Sequence, residues 1–374
     1  MSDGVDVYRR LQRHLDAMPV GFPATSSGVE LRILERLFTP EEAEVALCLS
    51  AVPERPARIA GRARGRSPEQ VRSALVAMAD KRVIMSTGRG ERRRFSKAPM
   101  AIGIYEMQVD RLTKELQQDF EQYAREAFGR AFLAVPTRQM RTVPVNAAFV
   151  PERRVGRYDD ARALVEGAPG PFAVQNCVCR QGKDLLEQPC RHGSDRRVCL
   201  MLGLVARKSI ALGSALEVPR ERVLELLARA ERDGLVVQPS NTRDPAFICF
   251  CCSCCCGVLM MARQMPRPAE YLHSNYQAAV EAEVCAECAT CAGRCPMDAL
   301  RTGDGPTRVD LDRCIGCGLC VSTCSTGALG LRPRLYPTTP PRGLAGLYRR
   351  ITVDRFGVLG TARILGRVLL GRQV

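Results

Sequence analysis

The stretch VCAECATCAGRCPMDALRTGDGPTRVDLDRCIGCGLCVSTCSTGALGL, residues 284–331, decides how the rest of the chain is read. Cys285, Cys288, Cys291 and Cys295 are spaced C-x2-C-x2-C-x3-C and followed by Pro296. Cys314, Cys317, Cys320 and Cys324 repeat that spacing. Downstream, Met297-Asp298-Ala299-Leu300 answers Thr326-Gly327-Ala328-Leu329. Two-residue gaps let one tight loop wrap three corners of a 4Fe–4S cube, and the fourth thiolate then comes from the other half of the repeat. One cluster is therefore assigned to Cys285, Cys288, Cys291 and Cys324, and the other to Cys314, Cys317, Cys320 and Cys295. Gly316 and Gly318 suit a loop whose amides turn inward toward sulfur. The competing readings are a zinc site or a disulfide knot; zinc ribbons use two C-x2-C pairs, not triplets with a trailing cysteine.

On these residues the stretch resembles a bacterial-type ferredoxin domain with two 4Fe–4S clusters. Ser325 departs from the pattern, standing where that family usually has proline, and the first half lacks the glycines of the second. The resemblance implies transfer of single electrons at low potential, and it covers about an eighth of the chain.

The 374 residues leave room for two or three domains, and 46% hydrophobic content can build an ordinary core. Tryptophan is absent and aromatics are scarce, which argues against stacking platforms for single-stranded nucleic acid. The formal charge is +15, but only five residues are lysine. Such an arginine skew is what a GC-rich coding sequence produces without selection for binding. Two clusters with their thiolates would lower the total to about +11. Nineteen cysteines follow an opening with neither a basic n-region nor an apolar h-region. A reducing cytoplasm with metal-bound thiols is therefore expected.

In residues 1–28 the pattern shows only a short helix with Val7, Leu11 and Leu15. Leu31, Leu34 and Leu37 continue a helical stripe. Thr39-Pro40-Glu41-Glu42 and Ser67-Pro68-Glu69-Gln70 are capping boxes with proline at the first helical position. A short helix falls between them, over Arg55–Arg64. Two strands, Arg82–Met85 and Arg93–Ser96, join at Thr87-Gly88-Arg89-Gly90. Three helices followed by a hairpin resemble a winged helix-turn-helix. In a DNA reader the helix Ser67–Asp80 would enter the major groove, with Arg89, Arg92, Arg93 and Arg94 on the phosphates. Glu69 near the front of that helix would face phosphate, so docking to a protein is the favoured use.

Further on, Met107–Phe132 reads as one long amphipathic helix, Pro136–Pro151 as a looser connection, Tyr158–Glu166 as a helix, and Phe172–Val178 as a strand. Cys177, Cys179, Cys190 and Cys199 are spaced to hold one more cluster or a structural zinc. His192, alone between arginines, reads as a surface residue. Val218–Asp233 is a helix ended by Gly234, with a strand at Leu235-Val236-Val237. Its helix-to-strand spacing echoes the Ser67 helix and suggests a second unit of winged-helix type. Cys249, Cys251, Cys252, Cys254, Cys255 and Cys256 then place six thiols in eight residues. Adjacent side chains diverge, so these cannot all hold one cube; they share two sites, hold an unusual centre, or complete one with the Cys177–Cys199 group. The arrangement resembles uncharacterised multi-cluster ferredoxin-like proteins of anaerobic bacteria, a resemblance that implies no particular reaction. Pro333–Arg342 reads as a linker. Gly343–Val374 is a basic amphipathic tail, suited to an anionic membrane surface or an acidic partner, or to packing on the rest of the chain.

The expected fold class is α+β. Its segments are 1–28, a winged-helix-like domain 29–100, a connector 101–175, a cysteine-rich α/β region 176–270, a two-cluster ferredoxin-like domain 271–332, and a tail 333–374. The expected function is exchange of single low-potential electrons with a partner redox enzyme. A redox-sensing transcription regulator and an iron–sulfur reductase with its centre in the middle cysteines are the alternatives, and electron transfer is favoured over a stand-alone enzyme.

Overall fold

Residues 2–145 and 155–374 are described by the computed structural model, with side chains from residue 6 onward. Residues 146–151, the end of the expected loose connection, lie outside them. Helix makes up 46% and strand 12%, a mixed α and β chain. It divides into two units, one of residues 1–136 and 350–374 and one of residues 137–349.

Both capping boxes form in the first unit. Thr39 accepts from the Glu42 N–H at 3.2 Å while Glu42 accepts from the Thr39 N–H at 2.9 Å. Ser67 and Gln70 exchange the same pair of bonds at 3.2 and 2.8 Å. They start the helices Pro40–Ala46 and Pro68–Asp80, with the short helix Pro56–Ala60 between them. The helices Ser2–Asp16 and Val29–Leu37 precede them, and Val7, Leu11, Leu15, Leu34 and Leu37 are buried. Strands β1 (Met85–Thr87) and β2 (Arg94–Ser96) pair antiparallel, and Glu54 bridges to Phe95 on the other side of β2. β1 thus starts three residues later than expected and β2 one residue later.

The long helix expected over Met107–Phe132 is not continuous. Asp110 adopts a left-handed φ of 65°, and Thr113 caps a new helix, Lys114–Tyr123, by accepting from the Leu116 N–H at 3.2 Å. A looser turn, Ala124–Phe128, follows, and then the helix Gly129–Ala134. The tail helix Leu344–Leu369 breaks at Gly357, whose φ of 69° and ψ of 177° are not helical. Beyond it Gln373 donates to the carbonyls of Leu47 and Leu49 at 2.6 and 2.9 Å, and the Ala51 N–H donates to the Val374 carbonyl at 2.7 Å. Val358, Leu359, Leu365, Leu369 and Leu370 of the tail are exposed.

The second unit is built on a five-stranded antiparallel sheet. The strands are β3 (Phe172–Gln175), β4 (Cys199–Leu202), β5 (Leu216–Val218), β6 (Val236–Pro239) and β7 (Phe247–Cys251), in the order β5-β3-β4-β7-β6. Val143 bridges to Val237 beside it. The strand expected over Phe172–Val178 ends at Gln175, because Cys177 begins the helix Val178–Leu185. The helix expected from Tyr158 begins at Ala161, where Asp160 accepts from the Ala163 N–H at 2.9 Å. Gly234, at φ 74°, ends the helix Arg220–Asp233 and leads into β6. The echo of the first unit stops there: β6 is an edge of this larger sheet, whereas β1 belongs to a hairpin.

β8 (Tyr276–Val280) pairs with β11 (Leu329–Pro333), and β9 (Leu300–Gly303) with β10 (Gly305–Val309). These strands and the cysteine loops share one continuous core with the five-stranded sheet. Arg141, 2% exposed, lies 3.8 Å from Asp159 and donates to the carbonyls of Ser240 and Thr242, both at 2.9 Å. The segment after β11 is tied down where Asn275 donates to the Thr338 carbonyl at 3.0 Å and accepts from its N–H at 2.8 Å.

Candidate metal centres

The duplicated cysteine loop is duplicated in backbone conformation as well. Gly316, Gly318 and Gly327 have φ of 63°, 77° and 72°; Glu287, Ala289 and Asp298, each 29 residues earlier, have φ of 55°, 58° and 53°. The first half therefore adopts the left-handed turns of the second without glycine, at a steric cost. In the second half glycine is required: a Cβ on Gly316 would stand 2.1 Å from the Tyr276 carbonyl oxygen.

Cys285, Cys288, Cys291 and Cys324 line one hollow, with Thr307 and Thr326. Cys295, Cys314, Cys317 and Cys320 line another, with Ile315 and Leu331. Four thiols around a hollow is the donor set that a cluster with four thiolate ligands needs.

The two hollows differ. Cys288 is exposed and Cys285 and Cys324 are half-buried, whereas Cys314, Cys317 and Cys320 are buried. Hydroxyls surround the first set. Thr307 Oγ1 lies 3.6 Å from Cys291 Sγ and 4.0 Å from Cys285 Sγ; Thr290 Oγ1 is 3.4 Å from Cys288 Sγ, and Thr326 Oγ1 is 3.6 Å from Cys324 Sγ. Cys285 and Cys288 lie below the usual thiol value, through the Thr307 backbone N–H and the Thr290 hydroxyl respectively. Burial pushes Cys295, Cys317 and Cys320 up. Around this second set the donors are backbone groups: the Ala278 N–H points at Cys314 Sγ at 3.4 Å and the Ala299 N–H at Cys295 Sγ at 3.2 Å.

The ten middle thiols fall into a six and a four. Alternation along β7 puts Cys249 and Cys251 on one face. Cys199 on β4 is opposite Cys249 in register, Gln175 on β3 is opposite Cys199, and Gln238 on β6 is opposite Cys249. Cys177 and Cys179 at the helix start, and Cys256 after the turn, join this group by sulfur–sulfur contacts that link Cys177 to Cys179, Cys179 to Cys256, and Cys256 to Cys251. Gln238 is fully buried, and neither its Oε1 nor its Nε2 has a hydrogen-bond partner.

Cys190, Cys252, Cys254 and Cys255 form the second group, with all four sulfurs within 4.8 Å of one another. Beside them Arg180 is 2% exposed, and its Nε and one terminal nitrogen are buried without a partner. Burial opposes its charge, but the sulfurs of Cys190, Cys252, Cys177 and Cys255 more than offset this and raise its pKa. His192 is a half-buried anchor whose Nδ1 donates to the Asp233 carbonyl at 2.7 Å. Thr307, Gln238 and Arg180 were not singled out by the sequence, since none belongs to a cysteine spacing.

A repeated loop that surrounds two hollows with four cysteines each defines an iron–sulfur protein of ferredoxin type. The 4Fe-4S dicluster domain family matches residues 278–325. An uncharacterized ferredoxin of Methanocaldococcus jannaschii is 41% identical over 49 residues, 13% of this chain and 79% of that protein. A second uncharacterized ferredoxin of that organism is 42% identical over 53 residues, 14% of this chain and 35% of the relative. An iron-sulfur protein of Rhodospirillum rubrum is 42% identical over 50 residues, 13% of this chain and 26% of the relative. No solved structure matches. Through residues 278–325 the chain belongs to the 4Fe-4S dicluster ferredoxin family; the first relatives are matched over about a third of their length or less. Among the described residues no helix is long and apolar enough to cross a membrane.

Proposed function

We propose that the protein relays single low-potential electrons to or from a partner redox enzyme. Cys285, Cys288, Cys291 and Cys324 hold one 4Fe–4S cluster in this reading, and Cys295, Cys314, Cys317 and Cys320 hold the other. The observation that carries it is the pair of four-thiol hollows. When bound, each cluster takes up and returns one electron. The chain supplies the environment: hydroxyls and solvent near the first set, apolar walls and backbone N–H groups around the second. The exposed side of Cys288 is where a partner approaches. Glu281, Glu283 and Glu287, all exposed there, give an otherwise basic chain an acidic rim and favour a partner with a basic face.

The first unit serves docking in a winged-helix arrangement, which the helix order, the β1–β2 hairpin and the Glu54 bridge support. DNA is a poorer fit: Glu69 is exposed at the front of the helix Pro68–Asp80, and Arg93 lies over the Phe95 ring at 5.1 Å and 3.6 Å from Asp80. The exposed apolar residues of the tail, interleaved with arginine, suit an anionic membrane surface. A reducing, cytoplasmic setting suits nineteen cysteines, none of which is in a disulfide.

Gln238, aimed at the row of Cys199 and Cys249 with both ends unpaired, favours a second reading: a third iron–sulfur centre among the six thiols, and with it a reductase. Iron and acid-labile sulfide, counted on protein purified without oxygen, test both. About eight of each per chain fits two clusters, about twelve adds the third, and fewer than eight after reconstitution overturns the two-cluster assignment.

A further inference from the structure

The four thiols of Cys190, Cys252, Cys254 and Cys255 differ in kind from the two ferredoxin sets. Cys190 Sγ lies 3.5 Å from Cys252 Sγ and 3.8 Å from Cys254 Sγ; Cys254 Sγ lies 3.5 Å from Cys252 Sγ and 3.6 Å from Cys255 Sγ. A tetrahedron of sulfurs bonded to one ion at about 2.3 Å has edges of about 3.8 Å. In a cube each thiolate binds its own iron, so the sulfurs stand farther apart and enclose a hollow. The ferredoxin thiols instead line hollows, four to each. Among the described residues, the set whose ligand atoms all lie within 4.8 Å is this group of four.

The chain delivers the four sulfurs compactly. Three come from the single turn that follows β7, closed by the Cys256 N–H donating to the Cys252 carbonyl at 3.0 Å. Here the C-x-C-C turn brings its three sulfurs together closely enough for three corners of a tetrahedron around one ion. Cys190 comes from the segment between the helix Val178–Leu185 and β4, which His192 anchors to Asp233. Charge points the same way. One divalent ion with four thiolates carries a net charge of about −2. Arg180 lies beside the group, deeply buried, with two nitrogens unpaired and able to donate. A buried guanidinium with free N–H groups needs an anion next to it.

We propose that Cys190, Cys252, Cys254 and Cys255 bind a single zinc ion as a structural tetrathiolate centre, separate from the iron–sulfur clusters. Binding releases the thiol protons and closes four metal–sulfur bonds. No electron is transferred, since zinc has no accessible second oxidation state. The centre fixes the segment that carries Cys190 against the β7 turn, and Arg180 offsets part of its charge.

The test uses the full chain, purified without oxygen and supplied with both iron and zinc. Metal is counted by mass spectrometry, and zinc-edge X-ray absorption reads the shell around the ion. One zinc per chain with four sulfurs at about 2.3 Å is expected. Cys254→Ser is expected to lower zinc retained against a chelator at least tenfold while leaving the iron and sulfide counts unchanged. A chain fully loaded with iron but lacking zinc overturns the proposal. So does a lone iron in a four-sulfur shell, or loss of about four irons and four sulfides from Cys254→Ser. Should that variant fail to fold, the absorption measurement on the unaltered chain still decides, because nitrogen or oxygen in the zinc shell is incompatible with this site.

Discussion

Replacing Thr307 by valine removes one hydroxyl and keeps nearly the same shape. Thr307 is 5% exposed, and its Oγ1 is 3.6 Å from Cys291 Sγ, closer than its 4.0 Å to Cys285 Sγ. Once the sulfurs are thiolates they only accept, so the hydroxyl is the donor, and its one proton goes to Cys291. A donor to a ligand sulfur stabilises the more negative, reduced centre more than the oxidised one. A long bond of this kind contributes about 1 kcal/mol in all, which for one electron bounds the shift at about 40 mV, since only the part gained on reduction moves the potential. Thr307→Val should therefore lower the potential of the cluster at Cys285, Cys288, Cys291 and Cys324 by up to about 40 mV. The centre at Cys295, Cys314, Cys317 and Cys320 should stay within about 10 mV, because Thr307 lines the other hollow. A potentiometric titration followed by electron paramagnetic resonance resolves the two. An unchanged first potential, or equal shifts in both, would refute the account of how the hydroxyls set the difference between the hollows.

Gly316→Ala places a methyl group 2.1 Å from the Tyr276 carbonyl oxygen and demands a left-handed alanine at φ 63°. The backbone term alone costs about 1–2 kcal/mol, so about half of the ferredoxin iron should be lost, all from the Cys314 set; an iron count with both clusters intact would contradict this. His14 gives the first unit a pH dependence. Burial, then the charge of Lys97, holds its pKa down to about 4, with its Nε2 donating to the Leu49 carbonyl at 2.9 Å. The unfolded chain takes up the proton first, near pH 6.5, so this stability is complete above that pH and is lost as pH falls toward 4. About 2 kcal/mol should disappear across that window, and His14→Gln should flatten the profile, as read by hydrogen exchange over residues 29–60.

What the sequence revealed were features written in short spacings. Thr39 and Ser67 each sit three residues from the partner that completes a capping box, and both boxes form. Each ferredoxin loop carries three cysteines of its own, and the fourth that lines its hollow comes from the other loop. Local signals also explain the errors: Thr113 caps a helix in the middle of an unbroken apolar stripe, and a stripe alone does not show where the backbone turns left-handed at Asp110. Cys177 and Val178 read as strand because the helix that takes them over has a β-like run in front of it. The division of the middle thiols was not legible at all. It depends on the register of Cys199 against Cys249, strands separated by two helices, and on a turn that sends Cys252, Cys254 and Cys255 one way and Cys256 the other.

That register bears on what the six-thiol group is for. Gln175, Cys199, Cys249 and Gln238 form one row across four adjacent strands, on the face where Cys251 also lies. Gln175 reaches Cys199 Sγ at 4.0 Å, while Gln238 is fully buried with donor and acceptor both unused. Leaving such an amide unsatisfied costs about 1–3 kcal/mol, and an apolar residue there would avoid the cost. Buried thiols do not relieve it well, since sulfur is a weak acceptor and a weaker donor. Inorganic sulfide and thiolate of a bound centre would relieve the Nε2 half of it, because charged acceptors strengthen the bond from an amide N–H. The six thiols make a chain of contacts rather than the closed tetrahedron of the other four. Cys177, Cys249, Cys251 and Cys256 of this group pack in the same apolar core as Cys291, Cys314, Cys317 and Cys320. A third iron–sulfur centre at this row would thus border the same apolar core as the buried Cys314, Cys317 and Cys320, and not the exposed rim at Cys288.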